Sequence, residues 1–255
     1  MRHAGIAARP FIVHVMCVRY TLHKTDAALA AIAHALAQKL APPEWAKPKY
    51  NVTLTNVTPV VATGEGGPEV RGMMWGIVPA FARKNDEMRM FPNAMAEKAL
   101  KSPAWRSAVA KRRCLVPANG FYEWETVGTM KYPHLFTLRD EEPFAFAGIW
   151  EPAAEKLPET FAILTTEPNE IVKPFHHRMP VVLTKESMSR WLGAEPLEPD
   201  EYADLTRPLD PERMTQREVS RYVNKSGNEG PECLAPPEPR GKSAKPAAPQ
   251  LDLDL

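Results

Sequence analysis

Arg113-Cys114-Leu115-Val116-Pro117-Ala118-Asn119-Gly120-Phe121-Tyr122-Glu123-Trp124 is the stretch on which the fold class turns. It holds two strand-like runs, Arg113 to Pro117 and Gly120 to Trp124, rich in β-branched and aromatic residues and punctuated by proline and glycine. Similar short runs lie on both sides: Pro59 to Ala62, Glu69 to Trp75, His134 to Leu138, Phe144 to Trp150, Phe161 to Thr166 and Met179 to Leu183. Helical pieces interrupt them. Asp26 to Leu40 is rich in alanine and leucine, with Thr25 or Asp26 as N-cap and Pro42-Pro43 as the expected stop. Ala104 to Arg112 follows Pro103 and the capping Ser102, and Lys185 to Trp191 is another short helix. Many strands with few, non-alternating helices predict an α+β chain rather than a doubly wound parallel sheet.

The chain has 255 residues, 44% of them hydrophobic and 25% charged, enough for one sizeable domain or two small ones. No stretch reaches the roughly 18–20 uncharged apolar residues of a membrane-spanning helix. The net charge of +1 leaves any nucleic-acid surface to a local patch. Cys17, Cys114 and Cys233 are too scattered for a disulfide framework or a zinc site of usual spacing, so no metal and a reduced, cytoplasmic setting are expected. There is no internal repeat and no glycine-rich phosphate loop, so no nucleotide cofactor is expected.

The two ends read differently. Met1 to Val15 makes a poor secretory signal, because His14 breaks the apolar run Phe11-Ile12-Val13 and no small-residue cleavage site follows. Residues 1–15 are expected to be an extension absent from the mature protein, with Met16 as the working start. Hydrophobic periodicity fades near Asn228, and residues 229–255, with Pro236-Pro237-Glu238-Pro239, are expected to be a disordered, proline-rich tail.

Four spots stand out as polar groups in apolar or turn-forming surroundings: Cys17, Asn93, Glu123 and His176-His177. A lone cysteine in an apolar run is usually a small buried hydrophobe. Glu123, among aromatics, lies either on a solvent face by alternation or in the interior, where it can exchange protons. Adjacent histidines point in different directions, which disfavours a shared metal and leaves acid/base work or a buried hydrogen bond. The basic segment from Lys98 to Arg113 is a solvated helix face or a phosphate-binding patch. Cys114, His134, His177, Trp124 and Trp150 read as structural, and Cys233 as incidental. Spacing alone does not assemble these residues into one site.

A resemblance does. Met16-Cys17-Val18-Arg19-Tyr20, Tyr50-Asn51-Val52, Trp75-Gly76-Ile77-Val78-Pro79, Asn93-Ala94-Met95-Ala96-Glu97, the Arg113 to Trp124 block, Leu164-Thr165-Thr166-Glu167-Pro168-Asn169 and His176-His177-Arg178-Met179-Pro180 occur in this order. The pattern resembles the SOS response-associated peptidase (SRAP) family, the abasic-site processing proteins, over roughly residues 16 to 233. The resemblance implies a single domain, residues 16–228, with a mainly antiparallel, barrel-like β core and peripheral helices. It implies a cysteine that becomes the N-terminus and traps the ring-opened aldehyde of an abasic site in single-stranded DNA as a thiazolidine. Only an N-terminal cysteine carries an amine and a thiol on adjacent carbons, and an α-amine titrates at about 7.7–8.0, so part of it is neutral near pH 7.

By the same resemblance Cys17 is the nucleophile, Glu123 handles protons at the amine and sugar, His176 is an acid/base, and Asn93 holds the amine or the sugar. Arg19 would bind a flanking phosphate, and Trp75 and Pro79 would wedge against bases. Arg106, Arg112, Arg113 and Arg178 are further phosphate candidates. The implied partner is abasic single-stranded DNA, at replication forks or 3′ junctions, with nucleoid association when bound and no membrane. Exposure of Cys17 would come from self-cleavage or from methionine aminopeptidase, which gives the family its peptidase name and implies lyase-type crosslinking chemistry. The chain departs from the pattern at Val18, where the family usually has glycine, and at Met95 and Met74, which replace basic residues and imply fewer phosphate contacts. Two alternatives stand beside this reading: a cysteine peptidase acting on proteins through Cys17 and His176, and a non-covalent single-stranded DNA binder.

Overall fold

The computed structural model describes residues 19–79, 82, 89–154 and 157–240. Cys17, Met16, Val18 and the first 15 residues lie outside the described residues, as does the tail beyond Arg240. In chain order the elements are β1 (Tyr20–Leu22), α1 (Thr25–Ala35), β2 (Lys49–Val52), β3 (Val57–Gly64), β4 (Gly67–Trp75), β5 (Asn93–Met95), α2 (Ala96–Ala99), α3 (Arg106–Lys111) and β6 (Arg113–Ala118). They continue with β7 (Gly120–Val127), β8 (Met130–Leu138), β9 (Phe144–Glu151), β10 (Thr160–Thr166), β11 (Met179–Pro180), β12 (Val182–Leu183), α4 (Lys185–Leu192), α5 (Pro199–Thr206) and β13 (Met214–Glu218).

The strands form two sheets. One runs β13-β8-β7-β1-β2. The other runs β11-β10-β4-β3-β6-β9-β12, and a further pairing of β10 with β9 closes β10, β4, β3, β6 and β9 into a ring. The described pairs are antiparallel except for β10 with β4 and with β5. This is the expected α+β class with a barrel-like core.

The Arg113 to Trp124 block crosses between the sheets. β6 belongs to the ring and β7 to the five-stranded sheet, so the chain changes sheets at Asn119-Gly120. Asn119 fixes the crossing: its N–H donates to Thr21 O and its Oδ1 accepts from Lys24 N at 2.8 Å. Gly120 is needed because a Cβ there would meet Phe136 O at 2.7 Å.

Alternation along the strands builds two apolar layers. Val60, Trp75, Cys114, Phe146 and Phe161 of the ring face Tyr20, Phe121 and Phe136 of the five-stranded sheet. The opposite face of the ring, with Val61, Leu115, Ala147, Ala162 and Leu164, packs on Leu29 and Ile32 of α1 and on Met188 and Trp191 of α4.

Two expectations are corrected. The helix predicted to Leu40 ends at Ala35. Ala37 takes φ 50°, its N–H reaches His34 O, and Gln38 N–H reaches Ala33 O at 3.0 Å. That is a Schellman ending with alanine where glycine is usual, so no glycine announced it. The tail expected from residue 229 is packed as far as Arg240. Cys233 is buried with Tyr122, Leu135, Val219 and Val223. Glu229 accepts from Tyr50 N at 2.8 Å, Glu238 accepts from Ser220 Oγ at 2.8 Å, and Asn51 Nδ2 donates to Lys225 O and Asn228 O. Proline content mimicked disorder in a segment held by hydrogen bonds to β2 and to Ser220.

Candidate active site

Glu123 shares the face of Phe121 on β7, so alternation turns it inward, and it is only 4% exposed. His134 lies directly opposite on β8 and is buried as well. Asn93 on β5 is in register with Ile163, on the same layer, while its neighbour Ala94 faces the helices. Thr165, two residues beyond Ile163, is fully buried. At this end of the space between the sheets the apolar lining gives way to carboxylate, imidazole, amide and hydroxyl groups. Buried polar groups are costly unless bonded, and His134 Nδ1 lies 2.8 Å from Gln216 Oε1.

His176 is brought over the corner by a turn that Asn169 holds. Asn169 Oδ1 accepts from Ile171 N and Val172 N, and its Nδ2 donates to Leu209 O at 2.9 Å. Phe175 then packs its ring on His134, with centroids 4.4 Å apart, and on Phe136. His176 is half-buried, with Nδ1 3.0 Å from both the N and the O of Arg178. His177 stacks on its exposed side at 4.4 Å.

Arg178 ties the corner together. Its guanidinium makes a two-pronged pair with Glu97, at 2.9 and 2.8 Å, and donates to Thr165 O at 2.6 Å. Burial pushes the Glu97 carboxyl up, but the bonds from Arg178 and from its own backbone outweigh this and hold it below the usual carboxylate range. The N-terminal strand enters the same corner, since Tyr122 N donates to Arg19 O at 3.0 Å, one residue from Glu123.

Several expected DNA contacts are corrected by their surroundings. Trp75 is 1% exposed, stacks on Phe161, and donates Nε1–H to Pro92 O at 2.8 Å. It presents no face to a base. Pro79 is buried too. Arg113 is 6% exposed and spends its fork on carbonyls of Trp191, Val109, Gly193 and Glu195. It pins α3 and the end of α4 to β6 and is not a phosphate ligand. Arg112 is paired with Glu151 at 2.7 Å, and Arg178 is engaged as above. Arg19 donates to Asn51 Oδ1 at 2.9 Å and to Val223 O, and lies 5.4 Å from the Trp124 ring centroid. Arg106 is exposed on α3 and stays available to solvent anions. Met95 and Met74 are half-buried.

Of the four expected reactive residues, Glu123 is buried on β7, Asn93 is buried on β5, His176 is half-buried next to Phe175, whose ring packs on His134, and Cys17 lies outside the described residues. Sequence reasoning missed Glu97, Asn169 and His134. Glu97 and Asn169 each stood inside one of the motifs of the family resemblance without a role of their own, and His134 was legible only through strand register.

Fold and site together define a single-domain α+β protein with a closed strand ring and a polar interior corner reached by its N-terminal strand. The chain belongs to the SOS response associated peptidase (SRAP) family, whose sequence model matches residues 16–226. It is 34% identical over 193 residues to the abasic site processing protein YoqW of Bacillus subtilis (strain 168), covering 73% of this chain and 85% of that one. It is 29% identical over 236 residues to the abasic site processing protein HMCES of Gallus gallus, covering 77% and 70%. A crystal structure of a Bacteroides thetaiotaomicron protein superposes with a TM-score of 0.72 at 27% identity, over 86% of this chain and 99% of that one. No helix among the described residues is long and apolar enough to cross a membrane.

Proposed function

We propose that this protein processes abasic sites in single-stranded DNA by covalent capture at Cys17. The observation that carries the reading is the burial of Glu123 on β7, beside the backbone bond that seats the N-terminal strand, in a chain of this family; Asn93 is buried on β5 and His176 half-buried next to Phe175. Cys17 stands two residues before Arg19 in the chain, and the Arg19 carbonyl accepts from Tyr122 N, the residue before Glu123.

The chemistry needs the α-amine of Cys17. The working chain therefore begins at Cys17, after removal of Met16 or of the longer leader, in line with a family match that starts at residue 16. The amine nitrogen attacks the aldehyde carbon of the ring-opened sugar, and loss of one water gives an imine. The Sγ–H then adds across the C=N bond, with sulfur to carbon and hydrogen to nitrogen, and closes the five-membered ring with no further leaving group. Glu123, shielded from water, is suited to take the amine proton and return it to the departing hydroxyl. His176 serves the sugar side, in opening and in reversal. Asn93 holds the amine or the sugar hydroxyls by hydrogen bonds. Arg106 is the phosphate candidate with the most exposed guanidinium of those expected on α3 and β6.

A denaturing gel tests the reading. Protein beginning at Cys17 should give a heat-stable, slower band with an abasic single-stranded oligonucleotide and none with the undamaged strand. Cys17→Ala should give no such band. Binding of damaged strands that Cys17→Ala leaves intact, with no covalent band from either protein, would instead describe a non-covalent binder.

A further inference from the structure

The outer face of the five-stranded sheet, turned away from the layer that holds Glu123, carries a cleft that the proposed chemistry does not use. Alternation places Thr137 of β8 and Thr215 and Arg217 of β13 on this face, because their neighbours Phe136 and Met214 pack in the inner layer. Thr137 and Thr215 are directly opposed across the two strands. His23 and Lys24, in the corner between β1 and α1, and Leu234 of the C-terminal segment add further walls around a volume of about 140 Å³. Leu234 is tied to the sheet by its carbonyl, which accepts from Arg217 Nη1 at 3.0 Å.

The walls are rich in donors. Asn119, only 4% exposed, lines the cleft. Its Oδ1 accepts from Lys24 N at 2.8 Å, which fixes the orientation of the amide, and its Nδ2 has no hydrogen-bond partner among the described residues. A buried amide donor left unbonded is costly, so a group that accepts from it adds stability. Lys24 and Arg217 bring two cations. The bond to Leu234 O uses one of the five N–H groups of the Arg217 fork. Lys24 Nζ stands 3.9 Å from Glu141 Oε2, at the limit of an ion pair, and both side chains are about half exposed or more. The field of these charges is registered by His23. Burial, then Lys24, pushes its imidazole down to about 4, Glu141 pulls the other way, and Arg217 adds a smaller downward push. With His23 neutral, two cations face one carboxylate, and the cleft is positive.

We infer that this cleft binds a phosphate group, with Lys24 and Arg217 supplying the charge, and Asn119 Nδ2 and the hydroxyls of Thr137 and Thr215 supplying neutral donors. A phosphate presents its oxygens in a tetrahedral array and accepts from several segments at once, whereas a planar carboxylate offers two oxygens. Here the donors come from the β1–α1 corner, the crossing between the sheets, β8 and β13. The phosphate has two possible sources, the backbone of a DNA strand or a free phosphate ion. Binding here is separate from adduct formation at Cys17, because the cleft lies on the opposite face of the sheet from Glu123.

Calorimetric titration of the full chain with inorganic phosphate, in a chloride buffer at neutral pH, tests the site. Binding should saturate at a single site. Lys24→Gln and Arg217→Gln should each weaken it by about tenfold or more, the loss expected when a charge-assisted hydrogen bond is removed. Glu141→Gln takes away the competing carboxylate and should tighten binding by about two- to fivefold, the span of an exposed charge interaction. It decides the matter if Arg217→Gln does not fold. The ring signals of His23 in an NMR spectrum should move over the same phosphate range. With phosphate bound, the imidazole should titrate above about 4, because the anion offsets Lys24 and Arg217. An undamaged single-stranded oligonucleotide separates the two sources. If it displaces phosphate and moves the His23 signals, the site takes a DNA backbone phosphate; if His23 responds to phosphate alone, the site takes the free ion, and either result supports a phosphate site. Phosphate binding that does not saturate, that is equal in the parent and all three variants, or that leaves His23 unmoved would overturn the inference.

Discussion

A carboxylate and an imidazole placed opposite each other between aromatic rings show what single residues do here. Glu123 and His134 are both buried at opposed positions, and His134 is held there by Gln216 and by the ring of Phe175. His23 makes the contrasting case at the far end of β1. Burial, then the nearby charge of Lys24, pushes its imidazole down to about 4 from the usual 6.5, against a weaker pull from Glu141. The unfolded chain binds a proton at His23 in that window and the folded chain does not, so stability is full above about 6.5 and falls as pH drops towards 4. Urea unfolding at pH 7 and at pH 4.5 should show a smaller loss for His23→Gln than for the parent. Equal losses would mean the ring titrates normally when folded. At this scale the sequence was half legible. Glu123 stood out because an acid between Tyr122 and Trp124 is unusual, but which way it pointed depended on the register of β7. His134 looked like core because its partners, Gln216 and Glu218, lie some 80 residues further along the chain.

At the scale of elements, arginines that looked like a phosphate patch turn out to be ties between segments. Arg113 stands at the start of β6, with carbonyls of α3 before it and of the α4 terminus across from it. Unsatisfied carbonyls at helix ends need donors, and a planar fork with five N–H groups supplies several at once. Arg113→Lys keeps the charge but loses the fork. It should lower stability by about 2 kcal/mol, a fall in Tm of about 4–8 °C, without changing the salt dependence of DNA binding. An unchanged Tm with weakened DNA binding would restore the phosphate reading. Strands were read well because alternation and turn residues are local signals. The end of α1 was not, since its Schellman turn uses Ala37, and the linker role of Asn119-Gly120 was hidden because only tertiary structure shows that β6 and β7 belong to different sheets. Trp75, expected from the resemblance to wedge against bases, is turned inward, with its Nε1–H satisfied by Pro92 O inside the fold.

Over the whole molecule, the ring supplies a rigid wall and the five-stranded sheet closes against it, leaving one polar end where the N-terminal strand enters and the 169–178 turn folds over. The C-terminal segment to Arg240 belongs to this assembly, because Glu229 and Asn51 anchor it to β2 and Arg240 clamps β7 to β13. The α+β class was legible from the number of strands and the few, non-alternating helices, and the barrel-like core from the family resemblance. The packed C-terminal segment was not, because its bonds join residues that composition cannot pair. The central claim, that the corner serves a free N-terminal cysteine, is tested most directly by the intact mass of the product. Protein beginning at Cys17, mixed with an abasic single-stranded oligonucleotide, should give a species equal to the sum of the two minus one water, while the same chain with its leader attached should give none. An equal yield from the leader-bearing chain, with its first residue still in place, would contradict the account.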